Sequence, residues 1–194
     1  MPESQVSQNI HRQLESLNPT SDVCRNAEAL GVDRNNVSMG GCSAGGLIAA
    51  VMHRHCAEQG IPLRCAVLFA PMLSYLPAND SWREFRHAKL LSPERMTWFW
   101  RCYCAPEDAS NAKCCPPAGL PLRGVSPSAF APLVVVTNTL DILRSEGDEY
   151  AAAMAEQGVP TIHLPPHPGM HWVGFMAKKD VKAIAAWEKF VFPP

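Results

Sequence analysis

Hydrophobic positions along the chain alternate between two spacings. Val6, Ile10, Leu14 and Leu17 recur at helical intervals until Asn18-Pro19-Thr20-Ser21 breaks the run and offers a cap. A second short helix is predicted from about Asp22, with Val23, Ala27 and Leu30 on one face and Gly31 as its stop. After a polar turn at 33–36, residues 37–39 read as a short strand that runs into Gly40 and Gly41, and 44–59 read as a helix ended by Gly60. The apolar run 65–69 has strand length and no polar interruption, as a strand buried on both faces requires. Ser92 and Pro93 open a further helix whose apolar face is Met96, Phe99, Trp100 and Tyr103. Residues 133–137 form the strongest strand pattern in the chain. A helix at 143–157, a strand at 161–164 and a closing helix at 177–190 complete the reading.

Strands that alternate with helices predict an α/β fold: a mostly parallel sheet with helices on both faces, in one domain over 1–194. Residues 71–132 stand out as an insertion made of the Ser92 helix and a loop with six prolines between 105 and 132. A net charge of −1 supplies no attraction for nucleic acid or an anionic membrane. No apolar run approaches the ~18 residues of a membrane span, and the N-terminus lacks the basic and apolar regions of a secretory leader. A cytoplasmic protein without stable membrane insertion is expected. In that setting the eight cysteines read as reduced thiols. Cys102, Cys104, Cys114 and Cys115 lack the two-residue gaps that close a zinc site, so neither metal nor cofactor is expected.

The chemistry concentrates at Gly41-Cys42-Ser43-Ala44-Gly45, a G-x-S-x-G pattern between a predicted strand and a predicted helix. A serine on so sharp a turn takes strained backbone angles, and glycines two positions to either side allow the chain to close on itself. Ser43 would start the helix, with the Ala44 N–H facing a developing oxyanion. A purely structural or phosphate-binding turn would share the five-residue pattern. Asp141 and His171, however, each follow a predicted strand, and the order Ser, Asp, His is that of a nucleophile, an acid and a base on this architecture. His163 and His167 are weaker candidates for the base, the first as a strand residue and the second as a loop residue. Cys42 as a thiol nucleophile would project from the wrong side of the turn.

Four segments carry a family resemblance. The run from Gly40 to Gly46, the Ser92 to Trp100 helix, Asp141-Ile142-Leu143-Arg144-Ser145-Glu146-Gly147 with Tyr150, and Pro168-Gly169-Met170-His171 together resemble the hormone-sensitive-lipase-like α/β-hydrolase carboxylesterases. The resemblance runs from about residue 22 to the end. It implies a serine hydrolase of small, short-acyl carboxylic esters in which Ser43 attacks, His171 moves the proton and Asp141 orients His171, with no cofactor. Trp98, Phe99 and Trp100 would divide between pocket wall and core. Two positions depart from the family pattern. Cys42 stands where an acidic residue is usual, and His171 follows Met170 directly where the family has one residue between them. The family's His-Gly-Gly oxyanion loop has no counterpart in 1–42, nor do the strands before the elbow. The chain is therefore expected to be the larger C-terminal portion of such an enzyme, with 37–39 left as an exposed sheet edge. The other class open to it is a non-catalytic relative that keeps the hydrolase scaffold.

Overall fold

A computed structural model of the protein describes residues 19–75, 77–103 and 124–171. The predicted helices at 6–17 and 177–190, most of the proline-rich loop, and Cys104, Cys114 and Cys115 lie outside those residues. Two short helices come first, α1 (Pro19–Arg25) and α2 (Ala27–Leu30), and Gly31 ends the second at φ 67°, where a side chain would be strained. A 3-10 turn at Arg34–Asn36 is capped by the Asp33 carboxylate, which accepts the Asn35 N–H at 2.9 Å. Strand β1 (Met39–Cys42) leads directly into α3 (Ala44–Gln59), which Gly60 closes in the left-handed conformation. Next come β2 (Ala66–Phe69), α4 (Asp80–Glu84) and α5 (Pro93–Tyr103). The remaining elements are β3 (Leu133–Val136), β4 (Asn138–Leu140), α6 (Arg144–Glu156), β5 (Thr161–His163) and β6 (His167–Met170).

The main sheet has the order β1-β2-β3-β5 and is parallel throughout. Among the described residues β1 is its edge. The strand lies later than the expected 37–39, because the elbow glycines themselves pair with β2: Gly40 opposite Val67 and Gly41 opposite Leu68. Glycine has little strand propensity, and the pairing is imposed by the neighbour strand rather than by these residues.

Strand alternation sorts the core into faces. Ala66, Leu68, Leu133 and Val135 point toward α3 and α6, where Ala49, Ala50, Tyr150, Ala151 and Met154 bury them. Cys65, Val67, Val134 and Leu164 form a separate cluster with Phe69, Val136 and Ile162. A third cluster joins α5 to the ends of the sheet. Met96 and Trp100 pack with Leu47, Met72, Ile142 and Leu143, flanked by Trp82 of α4 and by Phe85 just after it. Here the expected aromatic face is narrower than its spacing suggested. Phe99 and Tyr103 are 41% and 42% exposed: Met96 and Trp100, one turn apart, are the buried pair, and Tyr103 lies against the edge of the cluster through its ring contact with Trp100. Trp98 is 61% exposed and touches Phe99 instead.

The contrast between two tryptophans two residues apart gives a stability prediction. Trp100→Ala empties a fully buried site and should cost about 3–5 kcal/mol in denaturant unfolding. Trp98→Ala should stay within about 0.5 kcal/mol of the parent protein. Equal costs would contradict the described packing.

Candidate active site

β1 and α3 meet at Ser43, whose φ of 58° and ψ of −121° are rare for any residue with a side chain. Such angles cost on the order of 1–3 kcal/mol and persist only where the surroundings enforce them. Enforcement is visible on both peptide groups. The Ser43 N–H donates to the Phe69 carbonyl at 3.0 Å, extending the β1–β2 ladder by one residue. Its carbonyl accepts from Gly46 at 2.9 Å and from Met72 at 3.0 Å. A Cβ on Gly41 would lie 2.0 Å from the Gly45 carbonyl oxygen, and one on Gly46 would lie 2.7 Å from the Pro71 Cα. Gly45 itself has open space where a Cβ would point. The close approach therefore depends on Gly41 and Gly46, not on the symmetric pair Gly41 and Gly45. Ala44 is the first residue of a 16-residue helix, so its N–H has no acceptor within that helix and sits at the positive end of the helix dipole.

Asp141 and His171 are brought together by a feature that the hydrophobic pattern did not indicate. β4 and β6 form a second, two-stranded parallel sheet, with Leu140 opposite Met170. The residues immediately after that pair are Asp141 and His171, 1% and 3% exposed. His171 Nδ1 lies 2.7 Å from Asp141 Oδ2. An ionised carboxylate can only accept, so Nδ1 carries the proton and donates it to Asp141, leaving the lone pair on Nε2. Asp141 is held in turn: Oδ1 accepts the Leu143 N–H at 3.0 Å, and Oδ2 accepts from Asn138 Nδ2 at 3.3 Å.

The other two histidines are elsewhere. His163 ends β5, and its Nε2 is 3.0 Å from the Asp148 carboxylate, which also accepts the Thr137 hydroxyl. His167, expected in a loop, opens β6 and donates its backbone N–H to the Thr137 carbonyl at 2.8 Å. Cys42 is half-buried beside the elbow. Burial, and after it the nearby Asp141 charge, raise its thiol above the usual cysteine range.

A family model described as alpha/beta hydrolase fold matches residues 2–172. The chain belongs to that family. The hormone-sensitive-lipase-like resemblance of its motifs and the parallel α/β architecture expected from its pattern both hold. An AB hydrolase superfamily protein of Schizosaccharomyces pombe is 31% identical over 75% of this chain and 45% of its own length. The ethyl acetate hydrolase of Pseudomonas putida is 28% identical over 74% of this chain and 44% of its own. The hyperthermophilic esterase from the archaeon Pyrobaculum calidifontis superposes with a TM-score of 0.71 at 26% identity, covering 89% of this chain and 57% of that one. The chain thus spans less than half the length of these curated relatives.

Asn138, which contacts the Asp141 carboxylate, is a candidate site residue that sequence reasoning missed in this hydrolase-fold chain. Its signal was a polar run, Thr137-Asn138-Thr139, between an apolar strand and a chemically interesting Asp. Thr137 is fully buried and Asn138 nearly so, which polar groups tolerate only when hydrogen-bonded.

A raised thiol pKa means less thiolate at neutral pH, and thiolate is the reactive species. Iodoacetamide at pH 7 should therefore modify the exposed Cys102 well before Cys42, and Cys42 should react faster as the pH rises through 9 and above. Rapid alkylation of Cys42 at neutral pH, read by peptide mass spectrometry, would overturn this picture of the elbow.

Proposed function

We propose that the protein is a serine hydrolase of small carboxylic esters in which Ser43, His171 and Asp141 act as nucleophile, base and orienting acid. The observation that carries the reading is the buried 2.7 Å contact between His171 and Asp141, at the same end of the parallel strands as the strained Ser43. Strain of that kind is retained where a side chain must be presented out of a tight turn. The relatives named as esterases support the reaction class, and the name of the ethyl acetate hydrolase supports a short acyl group.

In this mechanism the Ser43 hydroxyl loses its proton to His171 Nε2 as its oxygen attacks the ester carbonyl. Asp141 holds the imidazole in the Nδ1–H tautomer and stabilises the imidazolium. The Ala44 N–H, at the start of α3, donates to the oxyanion of the tetrahedral intermediate. His171 then returns the proton to the departing alcohol, leaving an acyl group on Ser43. A water molecule repeats the sequence, and the carboxylic acid departs. The Asp141 oxygens also accept from Leu143 and Asn138, so the carboxylate stays fixed while the imidazole charges and discharges.

A fluorophosphonate probe applied to the full-length protein should label Ser43, and Ser43→Ala should abolish both labelling and turnover of p-nitrophenyl acetate. His171→Ala should lower kcat by roughly four orders of magnitude or more, whereas His163→Ala and His167→Ala should stay within about tenfold. Labelling at another residue removes Ser43 from the role. A folded protein that neither labels nor turns over ester is a non-catalytic relative.

A further inference from the structure

Glu146 is the fully buried carboxylic side chain of the first turn of α6, five residues after Asp141. A carboxyl in such a place is expensive, and burial raises its pKa well above the usual glutamate range, with Asp141 and Glu149 adding to the rise. The triad chemistry proposed above does not use it. Its Oε2 accepts the backbone N–H of Ser74 at 2.7 Å, and the Leu73 amide also favours its charged form. Ser74 is 72 residues away in the chain, so the contact is long-range rather than a helix cap.

The segment that Glu146 grips is the one that also holds the elbow. Ala70 leaves β2 at a positive φ of 39°, and its N–H donates to the Val136 carbonyl at 2.7 Å. Pro71 then fits against two glycines: a Cβ on Gly46 would meet its Cα at 2.7 Å, and one on Gly147 would meet its Cδ at 3.5 Å. Met72 donates its N–H to the Ser43 carbonyl. Residues 70–74 thus form a strut with Ser43 and Gly46 on one side and Glu146 and Gly147 on the other. A side chain on Gly46 would push this strut away, whereas a Cβ on Gly147 would be in ordinary contact with Pro71 and would instead meet the Thr137 side chain at 2.7 Å.

We infer that Glu146 is a positioning residue that ties the acid-bearing segment to the nucleophile elbow through the 70–74 strut. It touches neither substrate nor reacting atoms. Its carboxyl sets where Ser74, and through it Met72, can sit, and Met72 holds the strained Ser43 peptide. The inference rests on the serine-hydrolase reading for its catalytic consequence, but the mechanical link does not.

Glu146→Met keeps the side chain's length and removes the acceptor, while Glu146→Gln keeps an oxygen for the Ser74 N–H. In the full-length protein, folded Glu146→Met should lose about 10–100-fold in kcat with KM within about threefold, as expected for a reacting group displaced by a fraction of an ångström. Glu146→Gln should recover to within about threefold of the parent. Hydrogen exchange over 42–47 should also be faster in Glu146→Met than in the parent, because the Ser43 carbonyl accepts from Met72 in the strut. A folded Glu146→Met with parental kcat and parental exchange at the elbow overturns the inference, as does a folded Glu146→Gln as damaged as the Met variant. If Glu146→Met does not fold, Glu146→Gln decides alone: retention of kcat supports the acceptor role, and a large loss contradicts it. Should the parent protein show no esterase turnover, the hydrolase reading fails, and the exchange comparison still decides the link.

Discussion

Two strands of three and four residues, β4 and β6, do more for the candidate site than their size suggests. Each ends one residue before a titratable group, and their pairing sets Leu140 opposite Met170. The separation of Asp141 and His171 is therefore a consequence of sheet register. A slip of one residue would turn each side chain to the opposite face and break the contact. The register is secured at the start of the ladder and at its irregular middle. His167 bonds to the Thr137 carbonyl, and the Gly169 N–H donates to the Thr139 hydroxyl at 3.1 Å where the ladder is irregular. No apolar core drives this small sheet, because Leu140 and Met170 are both half-exposed. It is held by hydrogen bonds among polar residues and by its continuity with β3.

The larger sheet and its clusters explain why that local arrangement can be maintained. Ser43 sits between β1 and a long helix whose buried residues share a core with α6, so the elbow and the acid-bearing segment are anchored to the same hydrophobic cluster. The α5 cluster adds a second tie, since Leu47 comes from just beyond the elbow, and Ile142 and Leu143 follow the acid directly. Ser81 of α4 closes a third. It donates to the Ile142 carbonyl at 2.6 Å, and it exchanges hydrogen bonds with Ser145 through both backbone amides. The acid turn is thus gripped from the sheet, from the strut at 70–74 and from α4. That grip suits a site in which small displacements of a proton-transfer partner are costly.

Much of this was legible in the chain. The run 65–69 is apolar throughout and 133–137 is rich in β-branched residues, and they appear as β2 and β3 within one residue. Gly31 and Gly60 stop their helices as left-handed caps, and Gly158 follows α6 at φ 88°. Ser43, Asp141 and His171 could be singled out as candidates because their order and their place after strands follow a known chemical logic. What could not be read was built from polar or glycine-rich residues under tertiary control. β1 was placed too early because two glycines carry no strand signal of their own. β4 and β6 were missed because Asn138, Thr139, His167, Pro168 and Gly169 look like loop, and only their partner across the sheet makes them strands. The face of α5 was drawn too wide because periodicity shows which residues share a side, not how far the neighbouring core extends.

The central claim is that Asp141 and His171 act as one unit, set by the β4–β6 register. A double-mutant cycle measures it directly, with kcat determined for Asp141→Asn, His171→Ala and the double variant of the full-length protein. The account predicts strong non-additivity: with His171 gone, changing Asp141 should cost almost nothing further, because Asp141 acts only through the imidazole. Additive losses, with Asp141→Asn as damaging in the absence of His171 as in its presence, would contradict it.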